Sequence, residues 1–228
     1  MTTLLLLPGF DGTGELFSPL VAALDDTFVV QTVRYTDSRT LTGYQTTVLE
    51  ACPTDDPVIV VAESFSGPIG LQFLANAPAN VIGGVFSATF AKPPLALIIS
   101  LAEKLRLASL TIPAVSEQIL RWFCLNGVSD LSLIRDITTV VRRVGGRTVQ
   151  SRLAALNAMD ATPVLSEIRA PLMTIAAGND RVIRQRYMKP ILDAPAHRQH
   201  VTVDGPHLLL QTRAEQVAAA IHAFAGSL

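Results

Sequence analysis

The chain has 228 residues, 49 % hydrophobic and only 16 % charged, with a formal net charge of −1. That balance excludes a broad electrostatic footprint for nucleic acid or an acidic membrane surface. The length is enough for a full core without disulfide or metal staples. So apolar a composition predicts a parallel sheet covered on both faces, whose strands read as unbroken apolar runs. The two cysteines, Cys52 and Cys124, have no metal or redox spacing and read as buried thiols of a reducing compartment. The first residues, Met1-Thr2-Thr3-Leu4-Leu5-Leu6-Leu7-Pro8, carry no basic stretch and too short an apolar run for a signal peptide, so the expectation is a cytoplasmic protein.

In chain order, Leu4–Leu7 predicts a strand that ends in a glycine-rich loop, Pro8-Gly9-Phe10-Asp11-Gly12-Thr13-Gly14. A helix is expected over Gly14–Leu24, a strand over Phe28–Val33, a helix over Thr42–Cys52 and a strand over Val58–Ala62. A helix over Ser66–Ala77 and a strand over Val81–Ser87 follow. Residues 64–91 carry no charge, yet Pro68, Gly70, Asn76, Pro78, Asn80, Gly83 and Gly84 interrupt them. They read as a buried helix and a buried strand, with no membrane span. From about Ala91 to Pro163 the alternation stops. Helices are expected over Leu95–Leu107, Val115–Cys124, Leu131–Val144 and Thr148–Met159, separated by Pro93-Pro94, Pro113, Gly127 and Gly145-Gly146. Alternation resumes with a strand over Leu172–Ala176, a helix over Val182–Leu192, a strand over His200–Val203 and a helix over Leu208–Phe224.

Such β-α alternation predicts a doubly wound, mostly parallel sheet of about six strands, with ligands bound beyond the strands' C-terminal ends. Residues 1–90 and 164–228 would form this core, and residues 91–163 a helical lid inserted on the ligand edge. The lid's apolar residues, among them Leu95, Leu101, Leu105, Leu120, Trp122 and Phe123, would pack its helices together and in part line a pocket.

Ser64 ends the apolar run Val58–Ala62 with small residues two positions away on each side, Ala62 and Ser66. No other serine has this setting: Ser66 is followed at +2 by Pro68, Ser87 is flanked by Val85 and Thr89, and Ser129 is followed by Leu131. Small neighbours let strand and helix backbones approach while a side chain is held outward on a strained turn. An ordinary serine N-cap fits the same residues. His207 lies in Asp204-Gly205-Pro206-His207, directly after the last strand. His222 falls inside a helix, and His197 and His200 fall at the start of that strand, at its far end. Asp180 follows the strand at Leu172–Ala176 in the loop Gly178-Asn179-Asp180, as a partner for an imidazole or a cap for the next helix. Asp160 precedes that strand, and Asp204 is too near His207 in sequence to face it.

The segment Ala62-Glu63-Ser64-Phe65-Ser66 resembles the nucleophile elbow of the α/β-hydrolase superfamily, with alanine and serine where the usual pattern has glycine. The order Ser64, Asp180, His207 is that superfamily's order, and the loop after the first strand stands where its oxyanion loop does. Together with Leu4–Gly14 and Glu63–Pro68, these features resemble a group of small bacterial serine esterases and the hydrolase-like part of plant phytyl ester synthases. The resemblance implies a shortened α/β-hydrolase fold without the two usual N-terminal strands. It implies a triad of Ser64, Asp180 and His207, with the backbone N–H groups of Phe10 and Phe65 as the oxyanion hole. The expected activity is hydrolysis of carboxylic esters or thioesters of small to medium aliphatic acyl groups. An acyltransferase with the same triad and a non-catalytic ligand-binding module on the same fold are the alternatives. A small-molecule ester or thioester is the expected partner, with no nucleic acid, metal or cofactor. His207 beside a helix N-terminus is expected to favour its neutral form, so that activity rises through mildly acidic pH.

Overall fold

The computed structural model describes residues 1–36, 40–94, 113–127 and 130–228, without the side chains of 113–116, 119 and 141. Six strands, β1 (Thr2–Leu7), β2 (Phe28–Thr32), β3 (Val58–Glu63), β4 (Val81–Ser87), β5 (Leu172–Ala177) and β6 (His197–Val203), form one sheet. Their order is β2-β1-β3-β4-β5-β6, and every neighbouring pair is parallel. β3 and β5 are buried at every position. Successive side chains point to opposite faces of a strand, so a sheet covered on both sides demands apolar residues at both parities. Leu5, Leu7, Val58, Val60 and Ala62 pack on one face, and Leu4, Leu6, Ile59, Val61 and Ile175 on the other.

The helices are α1 (Ser18–Ala23), α2 (Leu41–Ala51), α3 (Gly67–Ala75), α4 (Pro113–Phe123), α5 (Leu131–Val144), α6 (Gly146–Ala158), α7 (Lys189–Leu192), α8 (Leu209–Thr212) and α9 (Ala214–Ala225). Residues of α2, α3, α6 and α7 join the first face, and residues of α1, α8 and α9 the second. The inserted α4, α5 and α6 lie where three of the four lid helices are expected; the expected helix Leu95–Leu107 and its leucines lie outside the described residues. Asp130 caps α5 by accepting from the N–H groups of Ser132 and Leu133. Its Ile134, Ile137 and Val140, one helical stripe, pack with Leu125 and Leu16 into a third apolar cluster.

Four elements depart from expectation. The first helix begins at Ser18 because Gly14 is left-handed (φ 74°) and Glu15–Phe17 form a single 3₁₀ turn. Only Gln185–Leu192 of the expected helix at Val182 is helical, because the Asp180 carboxylate takes the N–H groups of Val182 and Ile183 and turns the chain. The last helix divides at Arg213 (φ −135°, ψ 37°) into α8 and α9. β6 starts three residues early, at His197, with the alternating exposure of an edge strand. Among the described residues no helix is long and apolar enough to cross a membrane.

Candidate active site

From β1 the chain turns to β2 on one side and returns to β3 on the other. Loops leaving the C-terminal ends of β1 and β3 therefore diverge and open a crevice, the usual ligand site of such sheets. Leu7 is in register with Ala62, which sets the Pro8–Gly14 loop beside Ser64.

Ser64 has φ 48°. This left-handed conformation costs a non-glycine residue on the order of 1–3 kcal/mol, and surrounding bonds must hold it. Its carbonyl accepts from Gly67 N–H and from the Thr89 hydroxyl. Thr89 gets that close because Gly67 has no side chain: a Cβ there would stand 1.9 Å from Thr89 Oγ1. The two residues that replace glycine in the elbow are both accommodated. Ala62 is buried under Gly70 of α3, where a Cβ would be only 3.2 Å from that of Ala62. Ser66 donates to the Pro8 carbonyl (2.5 Å) and is 2.9 Å from the Tyr35 hydroxyl, tying the elbow to the loop after β1.

Ser64 Oγ lies 3.0 Å from His207 Nε2, and His207 Nδ1 lies 2.8 Å from Asp180 Oδ2. The imidazole and the carboxylate are both buried. The other carboxylate oxygen of Asp180 accepts from the N–H groups of Val182 and Ile183, each at 2.7 Å, so one residue is both turn cap and imidazole partner. Asp160 is engaged with Lys92 and Thr162, and Asp204 with Asn179. His197 and His200 share the Thr174 hydroxyl, and His222 sits against Asp25 and Phe28. Phe10 and Phe65 flank the serine with their rings edge to face, 5.6 Å apart. The Phe10 N–H has no backbone acceptor among the described residues.

Burial disfavours the charged imidazole of His207, but the neighbouring Asp180 carboxylate and then Glu63 outweigh it and raise its pKa above the usual value. The expectation of a favoured neutral form is therefore overturned. The helix after His207, α8, is a single turn of four residues, and two carboxylates face the ring.

Sequence reading missed four buried polar residues around this centre. Glu63 and Gln211 meet behind Ser64, with 3.4 Å between Gln211 Nε2 and Glu63 Oε2. Thr89 holds the elbow, and Arg152 reaches the Phe10 and Asp11 carbonyls from α6. A polar residue in or at the end of an apolar run is the only sequence signal; Glu63, Thr89 and Gln211 show it and Arg152 does not. A cavity of about 170 Å³ opens over Ser64 and His207. The core lines it with Phe65, Phe90 and Leu208, and the inserted helices with Leu120, Ile137, Val149 and Leu156. Its ionisable carboxyls are Asp11 and Glu63, and no lysine or arginine lines it among the described residues. Trp122 points outward, 60 % exposed, under the Arg181 guanidinium. No group of three or more histidine, cysteine or acidic residues able to hold a metal occurs among the described residues.

Solved structures of similar fold include a hydrolase from Oleispira antarctica, with TM-score 0.82 and 15 % identity over 98 % of this chain and 90 % of that one. A bromoperoxidase from Bacillus anthracis has TM-score 0.82 and 15 % identity over 99 % and 91 %. A lipase-esterase related protein from Clostridium acetobutylicum ATCC 824 has TM-score 0.75 and 17 % identity over 98 % and 94 %. At such low identity these likenesses show a shared fold. Among curated proteins none matches significantly in sequence. The sequence model of the alpha/beta hydrolase family, however, matches residues 4–220, and with so nearly complete a match the chain belongs to that family.

Proposed function

We propose that this hydrolase cleaves carboxylic esters or thioesters of small to medium aliphatic acyl groups through an acyl-enzyme on Ser64. The observation that carries the reading is the hydrogen-bonded series Ser64–His207–Asp180 at 3.0 and 2.8 Å, opening onto an apolar cavity. His207 Nε2 takes the hydroxyl proton as Ser64 Oγ forms a bond to the acyl carbon. Asp180 holds the ring's tautomer and stabilises the imidazolium. The N–H groups of Phe10 and Phe65 receive the oxyanion. The acyl carbon–leaving group bond then breaks, and the leaving alcohol or thiol takes the proton from Nε2. Water, deprotonated by the same ring, attacks the acyl-enzyme, releases the acid and returns the proton to Ser64.

The cavity wall supports an uncharged aliphatic acyl group, since its only ionisable carboxyls would repel an anionic one. It also supports residues 91–163 as a lid over a core of residues 1–90 and 164–228, because Leu120, Ile137, Val149 and Leu156 close over the serine from outside the sheet. Ser64→Ala should lower kcat on p-nitrophenyl butyrate by roughly 10⁴–10⁶ and abolish fluorophosphonate labelling. Retention of a substantial part of wild-type turnover would remove Ser64 from the mechanism. Product analysis with added alcohol separates hydrolysis from acyl transfer.

A further inference from the structure

Arg152 is 2 % exposed, and among the described residues no carboxylate pairs with it. A buried cation without a counter-ion is costly, so its position needs a compensating set of partners. Those partners are backbone carbonyls of the core. Nη1 donates to Phe10 O at 2.8 Å and to Asp11 O, and Nη2 to Tyr35 O at 3.2 Å. Gly12 makes the space: it is left-handed (φ 64°), and a Cβ there would stand 2.3 Å from Nη2. The contacts close a ring. Tyr35 N–H donates to Gly12 O, the Tyr35 hydroxyl meets Ser66, Ser66 donates to Pro8 O, and Phe10 follows two residues later. The loop after β1 is thus held at Pro8, Phe10, Asp11 and Gly12. Arg152 is the member of the ring that comes from an inserted helix, α6.

We infer that Arg152 is the positioning residue of the oxyanion hole, locking the Phe10–Asp11 backbone so that the Phe10 N–H faces the Ser64 adduct only while α6 is docked on the core. The inference rests on the serine-hydrolase reading. A guanidinium bound to the Phe10 and Asp11 carbonyls fixes the two peptides that follow the one carrying the Phe10 N–H, whose own carbonyl at Gly9 accepts from Gly12 N–H, and it adds positive potential beside the loop. Both effects matter most when negative charge develops on the acyl oxygen and little while the substrate is neutral. The inserted helices then act on chemistry as well as on access.

The test compares full-length Arg152→Lys and Arg152→Met with wild type and Ser64→Ala on p-nitrophenyl butyrate. It adds two inhibitors of equal chain length: a trifluoromethyl ketone, which forms a tetrahedral oxyanion on serine, and the corresponding secondary alcohol, which cannot. Arg152→Met should lower kcat by about 10²–10³ with KM nearly unchanged, the loss typical of a missing oxyanion donor. It should weaken the trifluoromethyl ketone by a similar factor and leave the alcohol unaffected. Arg152→Lys, which keeps the charge but reaches fewer carbonyls, should fall between. If Arg152→Met gives no cooperative melt, Arg152→Lys alone decides by the same ketone-to-alcohol comparison. An unchanged kcat, or parallel weakening of both ligands, overturns the inference and leaves Arg152 a structural strut. An active Ser64→Ala instead overturns the reading beneath it.

Discussion

Glu63 precedes Ser64 and is only 3 % exposed. Its Oε1 has no hydrogen-bond partner among the described residues. Burial, then the charge of Asp11, push its carboxyl from 4.5 up to about 7. The folded chain therefore keeps a proton that the unfolded chain releases, and folding stability falls as pH rises from 4.5 to 7 and levels off above. The raised pKa of His207 has the same sign: its contribution is complete below the ordinary histidine value and is lost as pH rises through the folded one. Glu63→Gln should flatten the Glu63 part of that loss. In urea unfolding at pH 5 and pH 8, wild type should lose up to a few kcal/mol on going to the higher pH, and the variant much less. Glu63 also raises the pKa of His207, so the same substitution should move the acidic limb of the kcat/KM–pH profile to lower pH. A limb that stays in place would show that the carboxylate does not act on the imidazole.

The elbow joining β3 to α3 is an element whose strain is distributed among its neighbours. Ser64 was legible because small residues at 62 and 66 stand around a serine that ends an apolar run. Its support was not legible, because Thr89, Tyr35 and Pro8 are brought to it by the register of β1, β3 and β4 and by the return of β2. Gly67→Ala should be one of the costliest small substitutions in the chain. Its Cβ would sit 1.9 Å from Thr89 Oγ1 and 2.9 Å from Phe90 O, and overpacking of this kind costs about 1–3 kcal/mol. A lowered urea midpoint with unchanged m-value would report it. Removing the obstructing hydroxyl by adding Thr89→Ala should restore part of the loss, so the double-mutant cycle should be non-additive. Additivity would show that the two residues do not meet. The helical elements were less well bounded, since the division at Arg213 goes with a bond from its Nε to Asp204 O, nine positions back, and that at Asp180–Ile183 with the capping of the Val182 and Ile183 N–H groups by the Asp180 side chain, neither of which shows in hydrophobic periodicity.

At the scale of the molecule, the cavity belongs to two parts of the chain. The sheet end supplies Ser64, His207 and Phe65, and the inserted helices supply Val149 and Ile137. Val149 lines the cavity while remaining half-buried, so enlarging it intrudes on the ligand with little disturbance of the core. Val149→Phe should leave the kcat/KM of p-nitrophenyl acetate nearly unchanged and lower that of the hexanoate ester about tenfold or more, the discrimination available from a few methylenes in an apolar pocket. Equal effects on short and long esters would place the acyl chain elsewhere in the cavity.

The sequence by itself determined the parallel, doubly covered sheet, because burial on both faces forces apolar residues at both strand parities and leaves a local signature. It also singled out Ser64, His207 and Asp180, because each follows directly on a readable strand and strand direction fixes the edge where such loops emerge. Only the tertiary structure decided their separations, the upward pull on His207, the unpartnered Oε1 of Glu63 and the reach of Arg152 across to Phe10 and Asp11. The hydrogen bonds behind them join residues 27 to 148 positions apart. No local periodicity encodes a contact whose existence depends on how strands pair and helices dock.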